Sequence, residues 1–574
     1  MISTLSKRAF MGGMSAAMLA LAVSGCTTSG NAAGADLIIS GGPILTMDGD
    51  TPTYVEAVVV NDGKIVFTGS SAEAMKQKAS GTIMKDLGGK TMLPGFVDAH
   101  GHFINAPGLA KQVNVSAPPV GKGDSITGII AALKAHQATV NEPDGGWIIG
   151  YGYDGTQLKE GRELNRTDLD AAFPNHKVMI FHVSLHGAVL NSKAFEWAKV
   201  TKDTPTPAGG VIAREADGKT PAGLVMETAF LPIFSSLPKP NEAELLELLK
   251  PGQMMYAENG YTVAVDGFTH EPDLRFLQKA AAGKRLFIDV VVLPGFTEMP
   301  MVVGKPEFQF GVWNNRLKLQ GIKITQDGSP QGKTAYVTTP FLTGGPLGQK
   351  AWRGETTQSY DDFAKTVAAV HKAGLQLFIH ANGDATIDQA IKAVEAVGIT
   401  AAGDPRVQVI HSQFQRPDHL PKYKALGMTP SYFTNHTFFW GDVHRQNIGE
   451  AKAAFISPMK AASDLGLHPS NHTDFNVTPL DPMFVLWSSM ARMTRTGFAL
   501  GPDQRIDAYL GLKGLTINAA WQFREEGNRG SIAKGKRADF VILSGDPVKT
   551  DVSKIRDIRI VETIKDGKTI FPAS

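Results

Sequence analysis

The segment Met92-Leu93-Pro94-Gly95-Phe96-Val97-Asp98-Ala99-His100-Gly101-His102 constrains this chain more than any other. It reads as a short apolar strand that runs into His-x-His. Alternate side chains of an extended strand share a face, so His100 and His102 project together with room for a metal ion between two imidazoles. Pro94-Gly95 marks the start of the strand, and Gly101 permits close backbone approach. The apolar lead-in and the strand-end position separate this pair from an isolated core histidine.

The pattern on either side predicts the frame that holds the pair. Residues 35–69 alternate apolar strands with turns: 37–39, 44–46, 57–60 and 64–67, with Asn61-Asp62-Gly63-Lys64 as a hairpin turn. The C-terminal stretches 538–543 and 558–564 repeat the pattern around Lys565-Asp566-Gly567-Lys568. Two strand-rich ends around a long middle predict one β-domain built from both termini. In the middle, strand patterns at 262–265, 287–292, 317–324, 375–379 and 407–410 alternate with helical patterns such as 363–373 and 385–396. Repeated β–α units of this length predict a parallel barrel. An open doubly wound sheet is the alternative, but no glycine-rich phosphate loop follows any strand.

In such a barrel, chemistry sits at the C-terminal strand ends. Four further residues fall there. His380 closes Leu377-Phe378-Ile379-His380, and His411 closes Val409-Ile410-His411 one β–α unit later. Lys323 lies inside Gly321-Ile322-Lys323-Ile324, ahead of Gln326-Asp327-Gly328-Ser329, and Asp474 ends Asn471-His472-Thr473-Asp474. Each has an ordinary reading by itself: a satisfied core histidine, a snorkelling lysine, a helix-capping aspartate. Together they read as a metal site.

These motifs resemble the amidohydrolase superfamily, and within it the amidohydrolase 3 branch of YtcJ-like and N-substituted formamide deformylase-like metal-dependent hydrolases. The resemblance runs through residues 93–102, 321–329, 380–384, 409–413 and 472–474. It closes with Gly530-Ser531-Ile532-Ala533-Lys534-Gly535-Lys536-Arg537-Ala538-Asp539, and spans roughly residues 35–572. It implies an α/β fold, a (β/α)8 TIM-like barrel over 93–529 with a small composite β-sandwich domain from 35–92 and 530–574. It also implies one or two divalent metal ions, zinc being the expected one. His100, His102 and Asp474 would hold one ion and His380 and His411 the second, with a carbamylated Lys323 bridging. Asp474 would take a proton from the attacking water and return it to the leaving nitrogen. The chain departs from the branch at His472-Thr473-Asp474, where Gly-Ser-Asp is frequent, and at Val409-Ile410-His411, where Ile-Glu-His is frequent; neither removes a ligand.

Candidate substrate contacts are His186, in His186-Gly187-Ala188-Val189-Leu190-Asn191-Ser192, and His436, Asp442 and His444 in a loop that also carries Phe433 and Trp440. His270 reads as structural support.

The N-terminus predicts export. Lys7-Arg8 precedes a short apolar run to Val23, and Val23-Ser24-Gly25-Cys26 resembles a lipobox; Ser6-Lys7-Arg8-Ala9-Phe10 also resembles a twin-arginine signal with Lys in place of the first Arg. Residues 1–25 are thus expected to be a lipoprotein-type signal peptide and 26–34 a tether, placing the protein in the periplasm on a lipid anchor at Cys26. That residue is the single cysteine, so cysteine-ligated metal and intrachain disulfides are excluded. A net charge of +2 gives no case for nucleic acid or for an anionic membrane surface. The partner expected is a small-molecule substrate. The reading is hydrolysis of a non-peptide amide, formamide or cyclic amide; a heterocycle deaminase and a non-catalytic exported binding lipoprotein are the alternatives, with Lys323 arguing against the first and the intact ligand set against the second.

Overall fold

The computed structural model describes residues 34–573, apart from 184–186, 208–209, 239 and 346–348. The leader, Cys26 and His186 lie outside the described residues. Among the described residues no helix is long and apolar enough to cross a membrane.

Both ends of the chain meet in one eight-stranded sheet. Leu37–Leu45, Tyr54–Asn61 and Lys64–Gly69 form an antiparallel meander, and Thr91–Pro94 pairs with Phe540–Leu543 from the far end of the sequence. The stretches read as separate strands at 37–39 and 44–46 are one strand with a register shift between Ser40 and Ile44. Gly41 sits there at φ 84°, where a Cβ would lie 1.9 Å from Asp86 Oδ1, so the irregularity needs glycine.

Eight strands carry the parallel architecture: β1 (Phe96–Val97), β2 (Tyr261–Thr269), β3 (Asp289–Pro294), β4 (Gly321–Thr325), β5 (Gln376–Ala381), β6 (Val407–His411), β7 (Met428–Tyr432) and β8 (Ser470–Asn471). Strands β1 to β3 pair in one sheet and β4 to β8 in another, each parallel to the next. Single-residue parallel bridges, Gly295 with Lys323 and Gly101 with Phe475, link the two. The apolar run 317–324 is divided: Leu317–Leu319 pairs with β3, and the chain changes sheets at Gln320 before β4.

Strand alternation sorts the side chains. Ile322, Ile324, Leu377, Ile379, Val407 and Val409 pack with helix residues Phe363, Val367, Ile387 and Ile391. The opposite face places Phe378 and Ile410 with Val97, Val265 and Val291. Lys323 and His380 share parity with this inner set, as period-two alternation requires.

Residues 113–227 build a separate six-stranded sheet inserted between β1 and β2. Its parallel members Trp147–Tyr153 and Lys177–His182 flank the helix Arg166–Ala172, which locally mimics a barrel unit. The antiparallel strands Gly187–Leu190, Pro221–Glu227 and Gly210–Arg214 then extend it in the other sense.

Candidate active site

The site lies beyond the C-terminal ends of the parallel strands. His100 and His102 leave β1 with ring centroids 5.4 Å apart. Gly267 on β2 makes room for the first ring: a Cβ there would fall 2.2 Å from His100 Cε1. Asp474, three residues past β8, points back at both, its Oδ1 lying 3.5 Å from His100 Nε2 and 3.3 Å from His102 Nε2. One ligand atom from each of the three lies within 4.8 Å of the others. Asp474 Oδ1 nonetheless has no hydrogen-bond partner although it is enclosed. A sealed carboxylate oxygen facing two imidazole nitrogens suits a cation.

Lys323 reaches the same point from β4, with Nζ 3.0 Å from His100 Nε2. It is 2% exposed. Burial lowers its pKa to about 7, an effect the Asp474 charge only partly offsets. His380 from β5 and His411 from β6 complete the ring, centroids 4.6 Å apart, with His411 Nε2 4.0 Å from Asp474 Oδ2. Alternation alone would turn His411 outward beside Val407 and Val409. Its φ of 72°, followed by 43° at Ser412, turns it in. Such left-handed backbone at non-glycine residues is a strain that clusters at functional sites.

The electrostatics fit a ligand-binding centre. Burial drives His380 and His472 down to about 3 and holds His100 and His411 well below the ordinary histidine range, with neighbouring Lys323 or histidines adding to the effect at His100, His380 and His411. Neutral imidazoles are the form that binds metal; His102 is the exception in the metal-free site, where burial lowers its pKa but Asp474 and Asp266 raise it further. For Asp474, burial alone would raise the pKa, but His102, His472 and Lys323 outweigh it and bring it to about 2. Asp98 opposes the trend, raised to about 7 mainly by burial.

All six residues expected to form the metal site therefore converge. The substrate candidates divide. His436, 3% exposed, follows β7; its Nδ1 is 3.0 Å from His444 Nε2, the two rings stack, and Phe433 lies 4.7 Å from His436 and 5.2 Å from His472. His444 is one ring further back and fully buried. Asp442 commits its carboxylate to the Thr496 hydroxyl at 2.7 Å and backbone N–H at 3.2 Å, closing the turn at Thr494–Gly497. His270 bonds Glu298 at 3.1 Å, which agrees with structural support. Two residues quoted within motifs gain roles that spacing did not suggest. His472 lies 3.1 Å from His411 Nδ1. Asp327 accepts backbone N–H bonds from Asn382, Gly383 and Tyr336, which locks the turn after His380.

The family model described as Amidohydrolase family matches residues 84–571. The N-substituted formamide deformylase of Arthrobacter pascens is 27% identical, with 93% of this chain and 97% of that protein covered. The amidohydrolase YtcJ of Bacillus subtilis (strain 168) is also 27% identical, over 93% and 99%. Among solved structures, a metal-dependent hydrolase from Pyrococcus horikoshii superposes with a TM-score of 0.69 at 21% identity, covering 90% of this chain and 99% of that one. The chain belongs to the amidohydrolase family and is a metal-dependent hydrolase acting on carbon–nitrogen bonds.

Proposed function

We propose that the protein hydrolyses a non-peptide amide, with N-substituted formamides first among the candidates and N-acyl and cyclic amides next. The observation that carries the chemistry is the convergence of His100, His102, Lys323, His380, His411 and Asp474 around one sealed, unpartnered carboxylate oxygen. The formamide emphasis rests on the deformylase relative. The order and direction of β1 to β8, with bridges at both seams, support a (β/α)8 barrel as the scaffold, and the sheet shared by both termini supports a composite β-domain over 35–92 and 530–574.

His100, His102 and Asp474 would hold one divalent ion, most simply zinc, and His380 and His411 a second. A bound ion supplies Lewis-acid polarisation of the scissile carbonyl and acidifies a water. The chain does the rest. Asp474, ionised at neutral pH, accepts a proton from the attacking water and delivers it to the departing nitrogen. Lys323, its amine mostly uncharged above about pH 7, would bond through nitrogen to the carbon of carbon dioxide and release one proton, giving a carboxylate-like group that could help hold the ions where a lysine cation would repel them. His436 faces the substrate, and His444 holds its ring.

The test is to assay purified protein against N-alkyl formamides, N-acyl amino acids and lactams, before and after chelation and after zinc return. Formation of amine and carboxylate that chelation abolishes and zinc restores is the expected result; turnover indifferent to chelation rules the reading out. Labelled bicarbonate should give a carbamate carbon signal that Lys323→Arg loses. A lipid-anchored, periplasmic location is proposed from the pattern at Cys26, and Cys26→Ser should release the protein from the membrane fraction.

A further inference from the structure

We propose that the open strand edge beside Ala35 is a membrane-contact surface, whose apolar side chains Met75, Ile83 and Met84 enter the outer part of the bilayer that holds the lipid on Cys26. The proposal rests on the lipid-anchor reading above and goes beyond it, because an anchor retains a protein at a membrane without setting which face meets the lipid.

The patch surrounds the first residues of the β-domain. The Ala35 amide donates to the Gln77 carbonyl at 3.2 Å, the Thr82 hydroxyl to the Ala35 carbonyl at 2.6 Å, and the Ile83 amide to the Asp36 carbonyl at 2.9 Å. These bonds draw the helix Ser71–Met75 and the strand Ile83–Asp86 around the point where the chain enters the fold. The strand runs parallel to residues 37–40, with Ile83 opposite Leu37 and Met84 opposite Ile38. Among the described residues it pairs with no strand on its other side. Alternation puts Ile83 on one face of this edge and Met84 on the other. Ile38 packs with Ala74, so the helix that carries Met75 lies on the Met84 side.

Ile83 is 65% exposed, Met75 45% and Met84 40%. One exposed apolar residue is ordinary, but an apolar strand edge left open is a pairing hazard that proteins cover or charge. Here the nearby charges are spent locally. Lys85 bonds Glu562 at 2.7 Å, Lys76 bonds Glu73 at 2.6 Å, and Asp86 accepts the Gly88 amide at 2.9 Å. The turn between helix and strand carries only small residues at Ala79-Ser80-Gly81, so nothing bulky stands in front of the edge. The position of Cys26 says what covers it. Ala35 follows Cys26 by nine residues, a reach of roughly 30 Å at full extension. Lipid on Cys26 therefore keeps Ala35, and the patch bonded to it, within that distance of the bilayer. A short tether presents the patch to the surface at an effective concentration on the order of millimolar, so a shallow contact of three side chains is enough. The contact is apolar and draws nothing from the net charge of +2.

Cys26 is the single cysteine, so once it carries lipid an introduced cysteine takes a label alone. The mature protein is reconstituted in phosphatidylcholine vesicles that contain a lipid with a nitroxide high on its acyl chain. An environment-sensitive fluorophore is attached at Met84→Cys or, as the control, at Leu342→Cys, 71% exposed on a barrel loop. Quenching at position 84 should exceed that at 342 by about threefold or more, as expected for side chains at the headgroup–acyl boundary. Adding Met75→Asp and Ile83→Asp should bring position 84 down to the level of 342, with lipid attachment and turnover unchanged; both side chains are exposed, and turnover confirms the fold. Equal quenching at the two positions overturns the proposal, as does quenching at 84 that survives the aspartates. A concentration-dependent dimer that the aspartates abolish, without quenching at 84, overturns it in favour of a second copy at this edge. The mass of the mature N-terminus decides the anchor separately. If it shows no lipid on Cys26, the anchor reading fails, and a Cys26→Ser protein with a histidine tag in place of residues 1–25, held on nickel-chelating lipid in the same vesicles, still reads the patch by the same quenching.

Discussion

The two ends of the parallel strands bury the same kinds of residue to opposite effect. At the N-terminal ends, Asp289 bonds Lys565 at 2.8 Å, Arg529 at 2.7 Å and Arg316 at 3.0 Å. Lys565 also bonds Asp539 at 2.7 Å, and Lys318 bonds Glu525 at 2.6 Å. Each acid faces a base, and Asp289 is held well below the carboxylate range: its cationic neighbours outweigh the upward push of burial. At the C-terminal ends, Lys323 has an imidazole where a carboxylate would be expected, and Asp474 keeps an orphaned oxygen. At one end Asp289, Asp539 and Glu525 each have a cationic partner, with only guanidinium N–H groups of Arg529 and Arg537 left over, while at the other a carboxylate oxygen faces imidazoles alone. Buried charge that its neighbours satisfy serves architecture, and buried charge left unsatisfied marks chemistry.

Substitutions can break that contrast at either end. The largest effect is expected from Asp474→Asn, which should lower kcat by about 10²- to 10⁴-fold, the range for a lost proton acceptor, while the melting temperature stays near wild type. Full turnover in this variant would remove Asp474 from the chemistry. Asp289→Ala should do the reverse: removing one partner of a buried pair costs about 3–5 kcal/mol, visible as an earlier urea midpoint, with kcat at low temperature preserved.

The ends also differ in their response to pH. Lys323 titrates at about 7 when folded against an ordinary 10.5. Between those values the unfolded chain holds the extra proton, so raising the pH from about 7 towards 10 should stabilise metal-free wild type, and Lys323→Met should flatten the slope. Asp289 has the same sign in a more acidic window. Its depressed pKa contributes stability above the ordinary aspartate value, lost as the pH falls through that value towards the folded one. Calorimetry across the pH range separates the two, and a metal-free protein whose melting temperature is flat above pH 7 would contradict the Lys323 assignment. The smallest effect belongs to Asp442→Asn: it disturbs a half-buried turn, should cost about 1 kcal/mol or less, and should leave KM unchanged.

Much of the catalytic end was legible before any coordinates. Lys323 and His380 follow from alternation along apolar strands, and His-x-His after an apolar run placed His100 and His102 together. His411 was legible as the end of an apolar strand one β–α unit after His380, but its inward turn depends on backbone angles at residues 411 and 412 that no spacing rule predicts. His472 looked like a departure from a pattern because its partners, His411 and Ser431, are 61 and 41 residues away in sequence. The inserted sheet at 113–227 was hidden because strand–helix–strand stretches read alike in a barrel and in a mixed sheet. Asp442, beside two histidines in sequence, reads as a pocket residue; only the position of Thr496, 54 residues on, shows where its carboxylate goes.

The pairing of Thr91–Pro94 with Phe540–Leu543 also sets a schedule. At a synthesis rate of about 5–20 residues per second, the first strands leave the ribosome tens of seconds before their neighbours exist. During that interval the edge formed by Met92 and Leu93, both fully buried in the finished protein, has nothing to pair with. Asp289 likewise waits for Lys565, 276 residues further along the chain. A chain that stopped before residue 535 would therefore hold every residue of the catalytic centre but be unable to close either the sheet or the charged base beneath it, which makes the late strands a checkpoint for both.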